Sequence, residues 1–98
     1  MTEPCIELCA KAKRLDQRTL LDGLAQVLGF ADYFGHNLDA AWDALTEIEW
    51  PKTHLNLLLD ARTKEVVEAD LRVFIDLLDE AKLYWLAENK QLELIVLR

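Results

Sequence analysis

The sequence predicts an α/β protein: a small two-layer domain in which a three-stranded parallel sheet is packed by helices. Three short apolar segments bounded by turn signals read as strands, and segments with apolar residues at helical spacing separate them. Strands joined through helical crossovers pair in parallel, and so few of them make only a small sheet. Size agrees: 98 residues with 52% hydrophobic content suit one domain spanning 1–98, long enough to close a core and too short for two.

The first strand is expected at Cys5–Ala10, with Pro4 at its start, where a strand tolerates proline. "LDQRTLLDGLAQVLG" follows as a helix. Asp16 can cap it, Leu20, Leu21, Leu24, Val27 and Leu28 share a face, and Gly29 ends it. A second helix runs from Leu38 to about Glu47, with Asn37 as its N-cap. "HLNLLLD" suits a buried strand near Thr53–Leu59. "ARTKEVVEA" is expected to form a short helical turn. "DLRVFIDLLDEAKLYWLAEN" is a long amphipathic helix, with Val67, Leu71, Phe74, Ile75, Leu78, Ala81 and Trp85 in one stripe and Asn89 as its stop. "QLELIVLR" closes the chain as the third strand.

Eighteen acids against eleven bases give a net charge of −7. That balance speaks against direct nucleic-acid binding, which needs a basic footprint, and for a basic protein partner or for none at all, since many soluble proteins are mildly acidic. No apolar run approaches the ~20 residues of a membrane span. The opening "MTEPCIELCAK" lacks the basic and apolar regions of a signal peptide, so a cytoplasmic protein is expected. In a strand Cys5 and Cys9 would stand ~13 Å apart, too far to bridge, and no other Cys completes a metal set; reduced, inert thiols are the economical reading.

The segment "DYFGHNLDAAWDALTE", residues 32–47, carries the most information about function. Asp39, Asp43 and Glu47 follow i, i+4, i+8 spacing and stack along one side of the second helix, with no lysine or arginine among them. Like charges so placed cost a helix roughly 0.2–0.5 kcal/mol per pair. The helix dipole favours Asp39 in the first turn but does nothing for Asp43 and opposes Glu47. Trp42 borders this stripe, and the aromatic-glycine stretch Tyr33-Phe34-Gly35 leads into it. Aromatics beside charges are the side chains of binding hot spots.

Tyr33, Gly35, Asn37, Leu38, Asp39, Ala40, Trp42, Asp43, Leu45 and Thr46 together resemble the signature of the barstar family, intracellular inhibitors of the ribonuclease barnase. The specific match covers about fourteen residues. The resemblance implies a small parallel three-stranded sheet with helices, and inhibition by plugging a nuclease active site. It makes Asp43 the central anchor, Asp39 the second ionic contact, Tyr33 the aromatic contact, and Trp42 and Thr46 flanking members. Gly35 and Asn37 belong to the same partner-binding segment. The family also has acids on its last helix that touch the nuclease. Aligned on "LRVF" these become Asp76 and Glu80, and aligned on "DEAK" they become Glu80 and Tyr84, so Glu80 is common to both. The chain departs from the pattern at His36 (an acid in barstar), at Phe34 (a second tyrosine) and at Glu47-Ile48 (a glycine and an aromatic).

The expectation is therefore a non-enzymatic, cytoplasmic immunity protein without a cofactor or metal, whose partner is an extracellular-type or toxin ribonuclease. The alternative is an interaction module of the same fold that binds another basic protein through the same helix. An active site built from His36, Asp39, Asp43, His54 and Asp60 fits no HExxH, CxxC, P-loop or nucleophile-elbow pattern. Trp50 and Trp85 are expected to pack, and the Leu55–Leu59 run to be core.

Overall fold

A computed structural model describes residues 5–28, 38–47 and 54–98. The main sheet comprises β1 (Cys5–Leu8), β3 (His54–Asp60) and β5 (Gln91–Leu97), all parallel, with β3 in the middle. Three helices complete the layer above it: α1 (Gln17–Leu28), α2 (Leu38–Glu47) and α3 (Glu68–Ala87). The register sets Leu8 beside Leu59, and Leu55 beside Leu92. Because side chains alternate across a strand, Leu8, Leu57, Leu59 and Leu92 all turn toward the helices and are buried. They meet Leu20, Leu21 and Leu24 of α1, Ala41 and Leu45 of α2, and Leu71, Phe74, Leu78 and Ala81 of α3. Each fully buried leucine contributes roughly 1.5–3 kcal/mol relative to exposure. On the other face of the sheet Cys5, Glu7, Glu93 and Ile95 of the edge strands are exposed, and Asn56 and Leu58 of the central strand are half-buried.

The predicted two-layer α/β architecture is the observed one. Its margins differ. The first strand stops at Leu8 because Cys9 adopts a left-handed backbone (φ 55) and its carbonyl closes a turn to the Ala12 N–H at 3.1 Å. The short helical turn expected in "ARTKEVVEA" does not form. Instead Asp60 accepts from the Arg62 N–H at 3.1 Å, an Asx-type turn. The chain then enters β4 (Glu65–Val66), which pairs in parallel with β2 (Arg14–Leu15). Lys64 fixes the approach by donating to the Ala12 carbonyl at 2.7 Å. Two consecutive β-branched valines, Val66 and Val67, favour extension over helix.

This two-residue ladder sits directly before α1 and α3 and brings their N-termini together. Asp16 caps α1 by accepting from the Thr19 N–H at 2.9 Å, as the sequence predicts. That bond from Thr19 holds the Asp16 carboxyl below its ordinary value. Asp70, in the first turn of α3, accepts from the Gln17 N–H at 3.0 Å and so ties the two helix starts. At the other end of α3, Asn89 is left-handed (φ 62). The Lys90 and Asn89 N–H groups bond back to the Trp85 and Leu86 carbonyls at 2.9 and 3.1 Å, a Schellman stop at the expected residue.

Candidate functional site

Two helices build the site. On α2, Ala41 and Leu45 face the core, and Trp42 is half-buried. One step round the helix, Asp39 and Asp43 point outward, one turn apart. On α3, Leu77 and Leu78 are buried, and Asp76 and Glu80 lie one turn apart on the exposed flank of the same face. Between the helices runs an open groove of about 640 Å³. Asp39, Trp42 and Asp43 form one wall; Val73, Asp76, Leu77 and Glu80 form the other.

The packing of α2 on α3 depends on aromatic side chains. Trp85 is buried, and its indole Nε1–H donates to the Leu45 carbonyl at 2.9 Å. Tyr84 stands edge-on to Trp42 and to Trp85, with its ring centre 6.1 Å from the first and 5.1 Å from the second. The Lys90 ammonium lies over the Trp85 ring at 5.0 Å. Trp85 is thus the core residue the sequence predicts, and it also fixes how the two acidic walls face each other.

Among the described residues, no lysine or arginine lines the groove. The described ion pairs fall elsewhere: Arg14 with Asp16 and Glu65, Arg62 with Asp60, Lys82 with Glu93, and Arg98 with Glu68. Four carboxylates therefore share one concave surface beside a half-exposed indole, with no described cation among them. Such a surface attracts cations, and planar guanidinium groups match carboxylates two bonds at a time. Among the described residues, no three His, Cys, Asp or Glu side chains are grouped to hold a metal ion.

Of the residues singled out from sequence, Asp39, Trp42, Asp43 and Glu80 come together in the groove. Thr46 is adjacent, but its hydroxyl donates to the Trp42 and Asp43 carbonyls at 3.0 and 3.2 Å, back into its own helix. Tyr33, Gly35, His36, Asn37 and Trp50 lie outside the described residues, as does the Glu47 side chain. Asp76 lines the groove and Tyr84 abuts Trp42, so both alternative alignments of the last helix point at this surface. Val73 and Leu77 are additions. Their signal was available: at 100° per residue, 73, 76, 77, 80 and 84 share one arc of the helix.

The two thiols are free, with Cys5 exposed and Cys9 half-buried. Burial pushes the Cys9 thiol up to about 11, and its S–H donates to the Thr19 carbonyl at 3.3 Å, so it is held protonated. No described helix is long and apolar enough to cross a membrane.

The chain is thus a three-stranded α/β domain with an acidic, aromatic-edged groove between α2 and α3. Residues 8–97 match the model of the family described as Barstar (barnase inhibitor), and the chain belongs to that family. A comparison with curated proteins found no match.

Proposed function

We propose that this protein inhibits a barnase-like ribonuclease by occluding its active site with α2 and the aromatic segment that precedes it. The observation that carries the reading is the groove in which Asp39 and Asp43 face Asp76 and Glu80, with no cation among its described lining residues. A ribonuclease collects cations where the RNA phosphate binds, and carboxylates on a rigid helix can occupy that place. Asp43 is the central anchor and Asp39 the second ionic contact. Tyr33, Gly35 and Asn37 supply the approach to them, Trp42 and Thr46 flank them, and Glu80 adds a contact from α3. A net charge of −7 speeds encounter with a basic enzyme. In this reading the inhibitor acts in the cytoplasm and protects the cell's own RNA.

The test is a titration of a barnase-type ribonuclease cleaving RNA. Wild-type protein is expected to abolish cleavage at one equivalent. Asp43→Ala is expected to weaken inhibition at least about thirtyfold while keeping the fold, as loss of a hot-spot residue does. Folded wild-type protein that leaves cleavage untouched would turn the search to another basic protein engaging the same groove.

A further inference from the structure

The groove does not end at its acids. Leu83 and Tyr84 follow Glu80 by three and four residues, one turn further along the same side of α3. Leu83 is 68% exposed, the most open of the large apolar side chains described, and Tyr84 is 41% exposed. Tyr84 is not loose. Its ring is held edge-on between Trp42 and Trp85, so it presents a fixed apolar surface with little rotamer freedom left to lose. Trp42 is shared, since it lines the acid groove and touches Tyr84. Val73, 37% exposed, stands toward the other end of the groove, so apolar side chains flank the carboxylates on both sides.

We propose that Leu83 and Tyr84, continuous with the acid groove through Trp42, form a second, apolar contact that receives a non-polar side chain of the same basic partner. The proposal rests on the reading above that a basic protein occupies the groove. Charge complementarity selects that occupant. A second copy of this chain would set four carboxylates against four at a net charge of −7 each, which opposes self-association through this face. The physical role follows from solvent. Exposed ion pairs are weak because water screens them, and an apolar border covered on docking excludes that water. Leu83 and Tyr84 then strengthen the neighbouring carboxylate contacts and add burial of their own.

The experiment compares wild type, Leu83→Ser and Asp43→Ala for binding to a barnase-type ribonuclease across a salt series, with sedimentation of each variant alone. Leu83 is largely exposed, so its replacement leaves folding intact, and a thermal melt verifies this. Leu83→Ser is expected to bind about tenfold more weakly with an unchanged salt slope, whereas Asp43→Ala flattens the slope. Leu83→Ser binding within twofold of wild type, while Asp43→Ala loses binding, overturns the apolar contact and leaves the groove reading standing. Absence of binding by wild type overturns the ribonuclease reading on which this contact rests, and the contact with it. A wild-type dimer that Leu83→Ser converts to monomer overturns the choice of occupant.

Discussion

Replacing Trp85 by phenylalanine tests whether the α2–α3 groove is held by one buried indole. Trp85 is 6% exposed and supplies a 2.9 Å hydrogen bond to the Leu45 carbonyl, forty residues away in sequence. Removing that donor costs about 1–3 kcal/mol, because the buried carbonyl loses a partner that water cannot replace. The smaller ring leaves a void worth about 1 kcal/mol. It also gives Lys90, 5.0 Å from the ring centre, a weaker π face, where such contacts are worth about 0.5–1 kcal/mol. Together these predict a loss of about 2–4 kcal/mol. In a domain of this size that lowers the thermal midpoint by roughly 10–25 °C. Urea unfolding followed by circular dichroism measures it. The midpoint concentration should fall while the slope stays constant, since the surface exposed on unfolding is unchanged. A variant as stable as wild type would refute the reasoning, because the indole could then not be what fixes α2 on α3.

Gly23→Ala places a methyl group 2.4 Å from the Cys9 sulfur and 3.3 Å from the Cys9 nitrogen, and that sulfur is tethered to Thr19. Overpacking of this kind costs about 1–3 kcal/mol, against about 1 kcal/mol gained in helix propensity. In a Cys9→Ala background the same substitution should become stabilising, and denaturant midpoints of the four proteins check the reversal. A second expectation concerns acid. Hydrogen bonds from Arg62 hold the Asp60 carboxyl down at about 2. A depressed value means that its contribution is present above the unfolded-state value of about 4 and fades as pH falls toward 2. Asp60→Asn should therefore flatten the dependence of the melting temperature on pH within that window and leave it unchanged near neutrality.

Element types were legible because periodicity and caps act locally. Asp16 before a run of spaced leucines, Asn89 after α3 and the branched residues of β5 each state their element without help from the rest of the chain. The β2–β4 ladder was not legible. Its four residues, Arg14, Leu15, Glu65 and Val66, carry no alternation, and they pair across some fifty residues of intervening chain, a contact no local pattern announces. A short helix was the natural reading of "ARTKEVVEA", and long-range bonds from Glu65 and Val67 to the Lys13 and Leu15 carbonyls displaced it. The acid stripe on α2 could be read from i, i+4 spacing alone. That Asp76 and Glu80 stand across from it could not, because it depends on a crossing of helices set by Trp85 and Leu45.

The groove can be separated from mere negative charge by one comparison. Asp39→Asn/Asp43→Asn removes two charges from the groove, and Asp79→Asn/Glu88→Gln removes two from exposed positions outside it. The inhibition constant of each double variant against a barnase-type ribonuclease is the deciding measurement. If the groove is the binding surface, the first variant loses inhibition and the second keeps it nearly whole. Equal losses in the two would mean that net charge alone draws the partner, and the groove would have no special part in binding.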